Sequence, residues 1–521
     1  ESILLHTGDY ANDSVYVDKL RIVDTVAAVQ PHTYSLVFSG DPLYPYVFFG
    51  TEDEYWSNVA NWENDVKPYR PNDNVVINGI CELDEDATVS TLTIEEGKIL
   101  TISDERTLTV SNMLTNTAAN SLVIEEGGQL IHANAGTWGK VKKSIEPWTN
   151  NNNGWYLVAS PLVGNTDLTE VNDLLLNTYD LYYYDEPTFY WINQKMPENN
   201  FTEFENGTGY LYANLEEVTL EFAGELQNGA ATVNVPLSYT PNIPLTGFNL
   251  VGNPFAHNVT SYASENVAEG CYLTNETKDD LMVDEINEEN PLKPGAGFFV
   301  KATDEGASIT FNAGRGTSAN PSGSIRVEVL EKGKIADRLI VKRTGEPLEK
   351  ISLNEIRTKL FATQGDQEIA IVPCEGNEQA VSFKAAKNDS YTINVSSNGI
   401  EFYYLHLIDN LTGIDVDLLK DPDYTFEAHT SDYASRFLLR FIPKENSSTG
   451  SEDNFAYCFN NKWVIANEGE ATLQVVDVVG HILSSEQITG SCEKKIDAAN
   501  GVYMLRLING KQSKVQKIVV R

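Results

Sequence analysis

Four carboxylates, Asp415, Asp417, Asp421 and Asp423, fall within one short segment, and clustered oxygen ligands are what a hard cation such as calcium requires. The segment lacks the glycine and closing glutamate of a calcium-binding helix-loop-helix. Structural calcium is therefore the one cofactor the sequence leaves open, and solvated acids in a turn are the plainer reading. Glu95, Glu96, Glu125 and Glu126 offer carboxylate pairs of the kind glycosidic chemistry uses, but the segment around them is too short for the long cleft such enzymes need. The seven histidines (His6, His32, His132, His257, His406, His429 and His481) are dispersed and form no HExxH or other ligand spacing. A nucleophile elbow, a phosphate-binding lysine loop and a dinucleotide fingerprint are missing too. The expectation is a protein with no catalytic residues, no cofactor-binding motif and no metal site beyond that calcium candidate.

Aromatic side chains offer a different chemistry. Tyr182-Tyr183-Tyr184 and Phe189-Tyr190-Trp191 flank the turn Asp185-Glu186-Pro187-Thr188. On a hairpin, alternation sends one ring of each neighbouring pair inward and the other out. Exposed rings would stack on sugars or meet a protein, which makes Tyr183, Tyr184, Tyr190 and Trp191 the ligand-contact candidates. The competing reading is cross-strand packing that stabilises the hairpin.

The chain that must position these groups has 521 residues, too many for one hydrophobic core, so several domains are expected. Lys and Arg number 37 against 75 Asp and Glu, a net charge of −38. Such a surface repels phosphate backbones and anionic lipid, which argues against nucleic acid as a partner. No apolar run is long enough to span a bilayer as a helix. The chain opens at Glu1 in an already alternating segment, as expected of a piece cut from a longer precursor or freed of a leader. Five cysteines lie far apart without a CxxC pair; only Cys458 and Cys492 share one small region, as a disulfide or as two free thiols.

Helical periodicity is nearly absent, the best candidate being Asp167 to Leu176, and elsewhere apolar residues recur with period two. The fold class is therefore all-β: a short β-solenoid followed by several β-sandwich domains. Leu92-Thr93-Ile94-Glu95-Glu96-Gly97 returns as Leu122-Val123-Ile124-Glu125-Glu126-Gly127, with similar apolar pairs between, as parallel coils with glycine corners require. A meander of hairpins is the alternative. A longer repeat pairs Gly154-Trp155-Tyr156-Leu157-Val158 with Gly247-Phe248-Asn249-Leu250-Val251, and Gly207-Thr208-Gly209-Tyr210 with Gly295-Ala296-Gly297-Phe298. Thr219 to Gly224 then matches Ile309 to Gly314, in the same order, so two copies of one β unit are expected, with Trp155 and Phe248 in their cores. The expected division is N-terminal strands over 1–47, a solenoid over 48–148, the duplicated region over 149–320, a sandwich over 321–446, and a flexible tether opening a small domain over 447–521.

The last of these reverses the charge. From Lys494 onward, Lys494, Lys495, Arg506, Lys511, Lys514, Lys517 and Arg521 face one acid, Asp497. Here Gly501, Val502 and Tyr503 open a strand, Asn509-Gly510 makes a turn, and Lys517, Ile518, Val519 and Val520 end the chain. This pattern, with Gln474 to Leu483 upstream, resembles the C-terminal sorting domain of the Por, or type IX, secretion system of Bacteroidetes. Trp56 to Trp62 with Pro71 to Ile77, and Leu407 to Gly413, are similar to modules of large surface proteins of that phylum. The resemblance implies export to the outer surface or the medium, contact with the secretion machinery, and proteolytic loss of the domain after the outer membrane is crossed. The domain is expected to be an immunoglobulin-like sandwich, and because Ile518, Val519 and Val520 run together without alternation, its final strand is expected to be buried on both sides or handed to a partner. The expected function is that of a non-catalytic adhesin, scaffold or glycan- or protein-contacting module. The alternative is the accessory C-terminal part of a secreted peptidase or glycan hydrolase whose catalytic domain lies upstream.

Overall fold

The computed structural model describes residues 14–17, 20–23, 45–149, 153–312, 323–444, 454–459, 462–510 and 512–520. It is all-β; among these residues the only helical turns are short 3-10 turns. The amphipathic stretch 167–176 is one of them. Leu168–Glu170 form a single 3-10 turn capped by Asp167, and left-handed backbone at Asp173 and Asn177 stops any continuation. The proposed tether, 445–453, lies outside the described residues.

Two parallel ladders occupy the first part of the chain. One runs Gln129–His132, Thr107–Thr115, Ala87–Ile94, Asn74–Ile77 and Tyr46–Phe48; the other runs Leu122–Ile124, Ile99–Ile102 and Ile80–Leu83. From residue 74 onward the chain passes back and forth between them. In each strand alternate residues point inward, so Leu92, Leu108 and Leu122 are fully buried along with Leu100, Ile102 and Ile124. The two Glu-Glu-Gly corners turn on Gly97 and Gly127, both at positive φ. The acids of the second corner make ordinary ion pairs: Lys142 pairs with Glu125 and Lys143 with Glu126, each at 2.7 Å.

Trp138–Ile145 belongs to two neighbours at once. It lies parallel to Leu122–Ile124 on one side and antiparallel to Val218–Glu225 on the other, over eight register pairs. One hydrophobic cluster therefore continues from Phe48 through Ile145 to Phe222 and Ala256. Beyond this strand two sheets share a strand order. Tyr156–Ala159 pairs with Gly209–Asn214, which pairs with Tyr179–Asp185 and then Tyr190–Asn193. Phe248–Gly252 pairs with Gly297–Lys301, then Cys271–Thr274 and Leu281–Asp284. The flanking strands repeat as well, since Thr232–Pro236 pairs with Ser308–Asn312 as Trp138–Ile145 does with Val218–Glu225. The equivalence of Trp155 and Phe248 breaks down in depth. Phe248 is fully buried, whereas Trp155 is half-buried at the start of its strand, packed beside Tyr182.

Residues 323–444 form an eleven-stranded sheet that curls around its own core of Val327, Leu339, Phe383, Tyr391, Leu407 and Phe437. Arg436 and Asp409 form an ion pair sealed inside, 2.9 Å apart and essentially without solvent contact, with the Tyr424 hydroxyl also donating to Asp409. Burial alone would raise the Asp409 carboxyl; the Arg436 hydrogen bonds reverse this and hold it below its ordinary value.

The terminal region has two sheets, Ala456–Phe459 with Lys462–Ile465 and Cys492–Lys494, and Ile482–Thr489 with Glu470–Val476, Gly501–Asn509 and Gln512–Val520. Trp463, Ile465, Leu473, Leu505 and Ile518 fill the space between them. Cys458 and Cys492 stand on the two outer strands of the smaller sheet, separated by Lys462–Ile465, and both are free thiols.

Candidate functional site

The aromatic hairpin forms where the sequence puts it, yet most of its rings are used internally. Tyr179–Asp185 pairs with Tyr190–Asn193, setting Tyr184 opposite Trp191 and Asp185 opposite Tyr190. Tyr184 and Trp191 both pack edge-on against Phe299 of the second repeat, and burial pushes the Tyr184 phenol up to about 12. Tyr183 packs on Phe201. Of the four candidates, only Tyr190 faces solvent, at 61% exposure. Its companion is Phe189, 38% exposed, whose ring stacks on it with centroids 4.9 Å apart and 23° between planes. Phe189 escaped the sequence reading because its role depends on a left-handed backbone (φ 50°), which nothing in a bulky residue announces.

Below these rings sits a buried carboxylate. Glu186 accepts from the amide of Thr240 at 2.9 Å, the hydroxyl of Thr240 at 2.8 Å and the amide of Gly247 at 2.7 Å. These bonds tie the tip of the first repeat's hairpin to the loop that opens the second.

The acidic turn does not assemble into a calcium site. Asp415 bonds to His406 at 2.7 Å, Asp417 to Lys420 at 2.7 Å, Asp423 accepts from Asn394 at 2.7 Å, and Asp421 caps the backbone of Asp423. The His406–Asp415 pair meets a third group across a boundary. His406, Asp415 and Glu493 have ligand-type atoms within 4.8 Å of one another, the one such grouping among the described residues. Lys462, 2.9 Å from Glu493, already compensates its charge, and Tyr404 donates to the same carboxylate at 2.8 Å. A cavity of about 500 Å³ opens beside them, between Tyr404, Lys444 and Glu468. Around it Phe459 stacks against Tyr404, and Tyr404, Ile442, Phe459 and Val464 form a small apolar cluster joining 323–444 to the terminal region.

In the terminal region Gly501, Val502 and Tyr503 lie opposite Val520, Val519 and Ile518, and Met504 lies opposite Lys517. The final strand is an edge strand, not one buried on both faces. Ile518 is buried, while Val519 is 48% exposed and Lys517 faces solvent. Three consecutive apolar residues read as double burial, but a sheet edge needs only one face covered. Gln516, which the sequence did not single out, closes the domain. Its amide oxygen accepts from the backbone of Phe455 and Ala456 and its amide nitrogen donates to Ala456, all at 2.7 Å.

Residues 459–521 match the family described as "Secretion system C-terminal sorting domain", and residues 47–278 match a "Domain of unknown function (DUF8693)". No curated protein matches the chain. A solved structure described as "Biofilm associated protein - BSP domain" aligns at 10% identity over 73% of this chain and 95% of that one, with a TM-score of 0.14, which does not establish a shared fold. The C-terminal sorting domain marks a Bacteroidetes protein sorted by type IX secretion to the cell surface or the extracellular space. No helix among the described residues is long and apolar enough to cross a membrane.

Proposed function

We propose that this exported chain is a non-catalytic, multimodular surface or secreted protein whose terminal domain is its address and whose remaining modules are its working body. The body is read as a short β-solenoid, two fused copies of a β unit and a β-sandwich; the terminal domain is read as an immunoglobulin-like sandwich. The observation that carries this reading is the sorting-domain match to residues 459–521, a region with its own core and a final strand whose outer edge pairs with no other strand among the described residues. Such an edge, flanked by Lys514 and Lys517, suits recognition by strand addition or by an acidic surface of the secretion machinery. A non-catalytic body is supported by where its acids go, into ion pairs such as Lys140–Glu221, Arg338–Glu328 and Lys350–Asp337.

Deleting 454–521 in the native host and locating the remainder tests the address. Retention in the periplasm is the expected result. Undiminished arrival at the surface or in the medium would sink it.

A further inference from the structure

The stacked rings of Phe189 and Tyr190 are, we infer, a binding platform for a neutral polysaccharide, which the chain grips through the flat C–H face of a sugar ring. This deepens the reading of the body as a binding module and rests on it. Three observations converge on this tip.

The first is exposure with order. Tyr190 is 61% exposed yet held, because Phe189 stacks on one of its faces while backbone pairing with Asp185 fixes its strand. A ring fixed in advance loses little conformational freedom when a ligand covers it.

The second is how the tip is held. Phe189 adopts a left-handed backbone that costs free energy in a bulky residue, and the adjoining loop does the same at Asn242 and Leu245. Both strained segments are bolted together by the buried Glu186 through Thr240 and Gly247. Leu245 of that loop is itself 40% exposed. The Asp185 carboxylate, bonded to the Thr188 hydroxyl at 2.5 Å, provides acceptors of the kind sugar hydroxyls use.

The third observation selects the ligand. Two stacked rings are far smaller than the roughly 800 Å² per partner of a stable protein interface, but match one or two sugar units. Aromatic faces attract polarised C–H groups and sit beside polar acceptors, the combination carbohydrates present. The net charge of −38 disfavours uronic-acid or sulfated chains and leaves neutral ones. Affinity per site would be low, and display of many copies on one surface would raise it.

Native-gel affinity electrophoresis of the full 521-residue chain tests this, with mixed-linkage β-glucan, xyloglucan or galactomannan cast in the gel and polygalacturonate as the anionic control. Retardation by at least one neutral polysaccharide is expected, weakened about tenfold or more in Tyr190→Ala and in Phe189→Ala, and retained in Tyr190→Trp. Both alanine variants should unfold within about 2 °C of the parent, because the rings contribute little to a core. Absence of retardation by all three neutral chains, retardation by polygalacturonate alone, or retardation untouched by both alanine variants overturns the platform. Shortening of a retarding polysaccharide during incubation instead overturns the non-catalytic reading beneath it, so the two failures are distinguishable.

Discussion

The amide of Gly252 donates to the carbonyl of Gly207 at 2.8 Å, and the two residues belong to different copies of the repeated unit. The reciprocal bond exists: Ala159, the counterpart of Gly252, donates to Gly295, the counterpart of Gly207, at 3.0 Å. Single bridges between Val158 and Ala296 and between Thr208 and Val251 complete the exchange. The two copies therefore meet through the same patch used twice, the geometry of a two-fold symmetric dimer joined into one chain.

Gly252→Ala is expected to destabilise the body by about 1–3 kcal/mol, because a close-packed contact has no room for a methyl group. The added carbon would stand 2.3 Å from the Cβ of Ala159 and 2.7 Å from the carbonyl oxygen of Thr208. Gly376→Ala, whose added carbon would meet nothing nearer than 3.9 Å, serves as the control. Denaturant midpoints of the two variants settle the matter, and equal midpoints would refute the tight seam.

Removing the bolt under the hairpin tip should loosen two loops together. Glu186→Ala leaves the amides of Thr240 and Gly247 without their acceptor, a loss of about 1–3 kcal/mol. Hydrogen exchange is expected to quicken at 186–190 and 240–247 in step. Faster exchange in only one of them would show that the carboxylate does not couple them.

Arg436→Met should be among the most damaging single changes in 323–444. It strands the Asp409 carboxylate, fully buried, with the Tyr424 hydroxyl as its remaining side-chain donor. Removing one partner of a buried pair costs about 3–5 kcal/mol, whereas replacing both by apolar residues costs far less. Equilibrium unfolding of Arg436→Met beside the double variant Arg436→Met with Asp409→Leu checks this: the double variant should recover stability.

Acid is expected to weaken the seam between the parallel ladders and the second repeat. Burial pushes His132 down to about 4, with the neighbouring His257 adding to the effect, and burial likewise pushes His257 down to about 4. Both side chains are under 10% exposed. In the unfolded chain each takes its proton near pH 6.5, so the unfolded state binds more protons between about 6.5 and 4. Their contribution is complete above about pH 6.5 and is lost as pH falls towards 4. Asp280, raised to about 6 chiefly by burial, works the other way, favouring the folded state as pH falls through that window. Two histidines outweigh one aspartate, and the net stability should fall. A His132→Gln, His257→Gln variant should show a flatter dependence between pH 6.5 and 4; an unchanged slope would refute the assignment.

Much of this architecture is legible in period and recurrence. Leu92, Leu108 and Leu122 can be placed inward from spacing alone, because a parallel coil offers each strand one inner face and no other solution for a repeated apolar pair. The collinear matches around Tyr210 and Phe298 likewise mark positions that share a register in the folded chain. What sequence does not carry is depth and conformation. Trp155 and Phe248 occupy equivalent places, but one lies half-buried at the start of its strand and the other shares a buried cluster with Ile340, Leu348 and Ile371 of 323–444. Among the four aromatic candidates of the hairpin, alternation leaves only Tyr190 facing solvent, because both faces of the sheet are covered: Tyr183 meets Phe201 on one side and Tyr184 meets Phe299 on the other. Exposure then falls to the tip, where Phe189 turns left-handed. The acids of 415–423 are close in sequence but do not share one centre: Asp415 and Asp417 flank His406, Asp421 caps the amide of Asp423, and Asp423 accepts from Asn394.

The strand Trp138–Ile145, held by the parallel ladder on one edge and by Val218–Glu225 on the other, bears on how an exported protein withstands force. A pull along its axis loads eight residue pairs simultaneously and meets them in shear, whereas a pull across it would open them one after another. Tension transmitted along this strand would therefore be shared between the parallel ladder and the strand Val218–Glu225, so that the two yield as one mechanical unit rather than in sequence.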